Sequence, residues 1–198
     1  MTDQSKLRAR LSEFADRLEV LGFFRYAPPE VVASLKHDFQ ESRCAAVFGE
    51  TGRLFRADAE DLTEGGVGDS LRRIEPFLKG QGISLNQVED DISEQGYSVM
   101  VNGRRYKIYD ADEVQKREKQ LGLLWGLSGA RAFAIVNGLL EGAVSEERLY
   151  AVNGGNDLDG FFLTPALREA ICRYPGVRPG GRPYLHTEEY PWFGQEHE

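Results

Sequence analysis

The sequence predicts an α+β fold built on a mainly antiparallel sheet. Two amphipathic helical stretches open the chain, strand signals cluster in its middle, and a helix follows the last strand pair. No regular strand–helix alternation, the mark of a parallel sheet, runs through it. At 198 residues the chain fits a single domain, here residues 1–174, followed by an extended arm over residues 175–198.

Each element rests on a local pattern. Leu7, Leu11, Phe14, Leu18 and Leu21 recur at helical spacing, forming one stripe of a helix that ends near Gly22. Pro28 and Pro29 open a second helix with Val31, Val32, Leu35 and Phe39 on its apolar face. Cys44 to Phe48 and Arg53 to Phe55 read as strands joined through Gly49–Gly52. Asp69, after the glycines at 65, 66 and 68, reads as the N-cap of a helix carrying Leu71, Ile74, Phe77 and Leu78; Gly80 and Gly82 end it.

Tyr97 to Tyr109 is the clearest local signal. Asn102-Gly103 suits a type I′ turn, which pairs Val101 with Arg104, Val99 with Tyr106 and Tyr97 with Ile108. Asp110 and Asp112 can cap a helix with i,i+4 pairs Asp112/Lys116 and Glu113/Arg117. Gly129 to Gly142 reads as helix, with Leu121 to Ser128 unassigned; the glycine spacings 122/126 and 138/142 point to close packing. Leu149–Val152 and Phe161–Thr164 read as strands, and Pro165 starts a helix ending near Tyr174. The remaining 24 residues hold four prolines, four glycines and four aromatics with no periodicity, hence an arm.

With 24 basic and 32 acidic residues the net charge is -8, and no basic run exceeds two residues. Phosphate backbones repel such a chain, so a nucleic-acid partner is not expected; a basic protein partner is permitted. Arg131 breaks the most apolar stretch, Leu121–Leu140, so no membrane span is expected. Cys44 and Cys172 lack disulfide or metal spacing. With no signal-peptide layout, this predicts a cytoplasmic protein with free thiols.

Catalytic motifs are missing. Gly66-Val67-Gly68-Asp69-Ser70-Leu71 lacks the third glycine of a dinucleotide fingerprint, and Gly126-Leu127-Ser128-Gly129-Ala130 has alanine where a nucleophile elbow needs glycine. Aligning Gly160 with the EF-hand glycine puts Ala166 where a bidentate Glu belongs. His186, Glu188, Glu189 and His197 are metal-capable types on an unconstrained tail, and Glu89, Asp90, Asp91 and Glu94 read as a solvated acidic face. No cofactor and no metal are expected.

Two binding regions stand out. Tyr184, Tyr190, Trp192 and Phe193 put aromatics where a linker would carry Ser and Gly, for covering the domain's own groove or a partner's. The loop Asn153–Gly160 offers Asn153, Asn156, Asp157 and Asp159 as oxygen ligands at a strand end, the alternative being an enzyme, small-ligand or metal site. In composition the chain resembles bacterial immunity proteins, which are small, acidic and motif-free. The resemblance implies a regulator-like module that sequesters a basic protein. A third expectation is homo-oligomerisation, through the glycine-spaced helix or through the wet face of the central hairpin.

Overall fold

The computed structural model describes residues 3–41 and 51–197. The expected strand Cys44–Phe48 and the start of its connection lie outside them. The first two helices form a hairpin. Helix α1 (Asp3–Val20) buries Leu11, Phe14, Ala15 and Leu18. It stops where the sequence predicts: Phe23 N–H donates to Leu18 O (2.9 Å) and Gly22 N–H to Glu19 O (2.8 Å), with Gly22 at φ +79. That is a Schellman cap, and its left-handed position suits glycine. Pro29 then begins α2 (Pro29–Glu41), which Lys36 ties back to Glu19 (2.6 Å).

Strands β1 (Leu54–Arg56), β5 (Arg148–Val152) and β6 (Asp159–Leu163) form an antiparallel sheet in the order β1-β6-β5. The central strand is buried on both faces, which explains its unbroken apolar run. Phe161 and Leu163 pack toward α1, α2 and α7 (Pro165–Arg173), while Phe162 packs toward the rest of the molecule. Thr164 caps α7 by accepting from Leu167 N–H (3.3 Å), with Pro165 in the first turn.

A second antiparallel sheet is a meander, β2 (Val88–Ser93), β3 (Gly96–Val101) and β4 (Arg104–Asp110). Its β3–β4 turn has Asn102 at φ 50 and Gly103 at φ 80, as a type I′ turn needs. Val101 faces Arg104 and Val99 faces Tyr106 as expected, but the register then shifts and Tyr97 faces Tyr109 instead of Ile108. This bulge lets the consecutive residues Ile108 and Tyr109 both be buried, which a regular strand forbids. Tyr109 OH thereby reaches Thr63 O (3.0 Å) in the short helix α3 (Ala59–Thr63).

Strand β2 carries no strand signal in the sequence, and its carboxylates do not all form the solvated face expected of them. Asp90 instead accepts from Tyr97 OH and from Gly68 N–H (3.0 Å) at the start of α4 (Val67–Gly80). Its carboxylate supplies the cap expected from Asp69, which sits inside the first turn and pairs with Arg72 (2.7 Å). Gly66 occupies the N-cap without a side-chain bond, and a β-carbon on Gly68 would collide with Asp90.

Asp110 opens α5 (Ala111–Lys116) in a full capping box with Glu113. Glu113 turns to Arg131 (2.8 Å), not to the expected Arg117. Arg131 belongs to α6 (Leu123–Gly142), which runs between the two sheets and starts six residues before the expected Gly129. By length and composition α6 could cross a membrane, yet most of it is buried in the core shared by both sheets. Burial disfavours the charge of Arg131, but Glu113 and Glu188 outweigh it and raise its pKa.

The helix's glycines divide into two pairs. A β-carbon on Gly126 would collide with Phe193, and one on Gly129 would stand 2.6 Å from His186 Nε2, so both make room for the arm. Gly138 and Gly142 have nothing within 4 Å of that position. Glycine inside a helix costs about 1 kcal/mol relative to alanine, and here no contact offsets it.

At the junction of α1–α2 with the first sheet lies a buried ion pair. Arg53 (1% exposed) binds Glu147 (2% exposed) at 2.9 Å. Three more of its N–H groups donate to Phe23 O (2.7 Å), Phe162 O (2.9 Å) and Gly22 O (2.8 Å), and its guanidinium lies 4.6 Å from the Tyr26 ring centre. Tyr26 OH donates to the other Glu147 oxygen (3.1 Å) and accepts from Gln81 (2.9 Å), completing the network.

Candidate protein-binding surface

The loop after β5 and the arm meet. Asn153, at φ 60, turns the chain out of the strand, and its carbonyl accepts from Tyr184 OH (2.7 Å). Tyr184 and Ala151 exchange two backbone hydrogen bonds (2.8 and 2.9 Å), so the arm extends the β5 edge by one residue. Gln195 lies beside Gly154. Together these enclose a polar hollow of about 420 Å³ lined by Arg56, Asn153, Asp157, Asp159 and Gln195.

Arg56, which has no local signature in the sequence, is the cation of this hollow. It lies 3.6 Å from Asp58 and 3.9 Å from both Asp157 and Asp159, and it donates to Asn156 O. Asn156 in turn donates to Glu60 (3.1 Å). The loop carboxylates thus face a guanidinium. Burial raises the Asp159 pKa and Arg56 partly opposes that. Among the described residues no group of three or more His, Cys, Asp or Glu is placed to hold a metal ion.

The arm's aromatics divide by direction. Tyr184 and Phe193 are buried on their own domain, Phe193 between Leu123 and Leu127. Tyr190 and Trp192 remain half-exposed, and Trp192 stacks on His197 (4.1 Å between ring centres). His186 lies against Phe193, edge-on to Phe133 and Tyr184, with Nδ1 2.9 Å from Phe193 O. A carbonyl only accepts, so Nδ1 carries the proton. Burial pushes the His186 pKa down to about 4. Glu188 sits on Arg131 (2.6 Å), so the tail's metal-capable residues are spread over separate tasks. Ser128, of the near-miss elbow, is wholly buried in α6.

A larger groove, unmarked in the sequence, opens where the β2–β3 turn, α5 and the start of α6 meet. It measures about 1020 Å³. Ile92 (50% exposed), Leu121 (92%) and Trp125 (39%) line it and leave their apolar surface in water. Glu64, Glu94 and Arg117 also line it, and none of the three forms an ion pair among the described residues, so two carboxylates stand against one guanidinium. The sequence signal was present only as an acidic strand, VEDDIS, with one isoleucine in it.

Compared with protein-family models, curated proteins and solved structures, the chain matches none. The fold defines its class: an α+β protein whose described residues form two three-stranded antiparallel sheets around a central helix.

Proposed function

We propose that the protein is a non-catalytic binding module that sequesters a basic protein partner, in the manner of an immunity or regulator protein. The observation that carries this reading is the Ile92–Leu121–Trp125 groove, where Glu64 and Glu94, without an ion pair among the described residues, outnumber the single Arg117. Large exposed apolar side chains grouped around a concavity mark interaction sites, and tryptophan is enriched among binding hot spots. Carboxylates at the rim select a cationic partner and speed its encounter. The half-exposed Tyr190 and Trp192 of the arm offer further contact area. The net charge of -8 suits the same partner, and the lack of a cysteine framework suits a cytoplasmic setting.

The test uses a Trp192→Phe background, leaving Trp125 as the only tryptophan, and a helix-forming Lys/Leu peptide as the cationic probe. The reading expects saturable quenching of Trp125 fluorescence that weakens with salt, and about a tenfold loss on Glu64→Lys with Glu94→Lys. A Glu/Leu peptide should bind poorly. Equal binding of both peptides, or indifference to the charge reversals, sinks the reading.

The Arg56 hollow supports a second reading, a small zwitterionic ligand. It offers a guanidinium and two carboxylates around an open, polar space. Stabilisation by an amino-acid panel in thermal unfolding, lost in Arg56→Gln, would favour it over the first.

A further inference from the structure

A second groove, of about 610 Å³, runs between strand β4 and the C-terminal half of α6. We propose that it takes an extended, acidic segment of a partner protein, which pairs with β4 as a fourth strand of the β2-β3-β4 sheet. This surface and its charge preference are separate from those of the Trp125 groove.

The backbone supplies the first argument. In a two-residue hairpin Val101/Arg104 and Val99/Tyr106 exchange hydrogen bonds, so the N–H and C=O of Arg105 and Lys107 point away from β3. No partner meets those groups among the described residues, and both residues are exposed. This open stretch runs from Arg104 to Lys107 and ends at Ile108, whose carbonyl accepts from Arg131 (2.8 Å); an open edge of this kind is a template for strand addition.

The groove supplies the second. Its walls are Ile83, Tyr106, Ile135 and Leu139, and its floor is bare helix at Gly138 and Gly142. Gly126 and Gly129 of the same helix are filled by the chain's own arm; these two glycines are left open. A strand lying there would set alternate side chains on the glycines and apolar walls.

Charge selects the occupant. Arg104 lies 4.8 Å over the Tyr106 ring and has no carboxylate partner among the described residues. Lys107, at the same edge, is shared with Asp110 (2.7 Å) and Glu113 (3.6 Å). A second copy pairing β4 with β4 would set these cations against their own kind. The acidic strand β2 is a poor candidate from a second copy, because α4 packs along its outer edge, where Arg72 donates to Val88 O. An acidic, apolar segment from another protein meets neither obstacle.

The probe is a labelled peptide of about eight alternating Glu and Val residues, a normal strand length. Fluorescence anisotropy should show saturable binding to the full chain, with the Lys/Val peptide weaker by about tenfold. Amide hydrogen exchange at Arg105 and Lys107 should slow in the complex. Arg104→Glu should weaken binding, and Gly138→Leu should abolish it while raising Tm, which separates a filled groove from a misfolded one. The Glu64→Lys, Glu94→Lys pair should leave this binding unchanged. The inference is overturned if the Glu/Val peptide fails to bind, if alternate N-methylation of its amides has no effect, or if Gly138→Leu binds it normally.

Discussion

The ring of Phe193 fills the space that a β-carbon would need at Gly126, so the arm rests directly on the backbone of α6. Gly138, three turns further along the same helix, has open space at the equivalent position. Alanine therefore acts in opposite directions at the two sites. Gly138→Ala should stabilise by about 1 kcal/mol through helix propensity alone. Gly126→Ala gains the same term but overpacks Phe193, at about 1–3 kcal/mol, and should free the arm. Urea unfolding, with limited proteolysis beyond residue 175, reads both effects.

His186 gives the arm a pH dependence. Its folded pKa, about 4, lies below the ordinary 6.5, so the folded state prefers the neutral ring. The unfolded chain binds the proton first as pH falls. Stability is therefore fully present above about 6.5 and declines as pH drops toward 4, by up to about 3 kcal/mol. His186→Asn keeps an N–H donor for Phe193 O and removes the titration. Unfolding measured at several pH values between 7.5 and 4 should show a flatter profile in this variant.

Arg53 and Glu147 form a buried pair whose halves depend on each other. Glu147→Leu leaves a guanidinium without its counter-ion inside the protein and should cost about 3–5 kcal/mol. Arg53→Met should cost a similar amount. The double variant should recover much of the loss, because no charge then remains buried. A double-mutant cycle in urea checks this, and additive losses would contradict it.

Neighbouring acids on β2 should behave differently. Asp90 caps α4 through Gly68 N–H and accepts from Tyr97 OH, whereas exposed Asp91 pairs only with exposed Arg105. Asp90→Ala should cost about 1–2 kcal/mol, in the range of a lost cap. Asp91→Ala should stay within about 0.5 kcal/mol. Thermal unfolding of the two variants distinguishes them.

Features governed by neighbours in sequence were legible in advance. The stripe of α1, its glycine cap, the Asn102-Gly103 turn and the Pro165 helix start depend on residues a few positions apart. Strand β2 was hidden because Glu89, Asp90 and Asp91 are poor strand formers, and its place is fixed by β3 and by α4 across space. The bulge at Tyr97 was hidden because burying both Ile108 and Tyr109 is a tertiary demand. Of the candidate site residues, the structure joins Asn153 to Tyr184 and leaves Tyr190 and Trp192 outward. Arg56 and the Trp125 groove escaped notice because each is assembled from separate elements. An arginine or a lone tryptophan carries no local signature of its surroundings.

The pairing of β1 with β6 joins residues such as Leu54 and Phe161, far apart in the chain, whereas β2, β3 and β4 follow one another directly. The two sheets therefore face different kinetic problems. The meander closes only short loops and can form on the timescale of hairpins, microseconds. In the other sheet β5 and β6 also pair locally, but β1 must close a long loop before its contacts with β6 reward it, which is the slow step in proteins of high contact order. Because α6 needs both sheets to bury its faces, the early meander stands as a half-built core until β1 finds β6. The encounter of β1 with β6, the strand pairing most distant in sequence among the described residues, is then expected to set the rate at which the molecule reaches its native state.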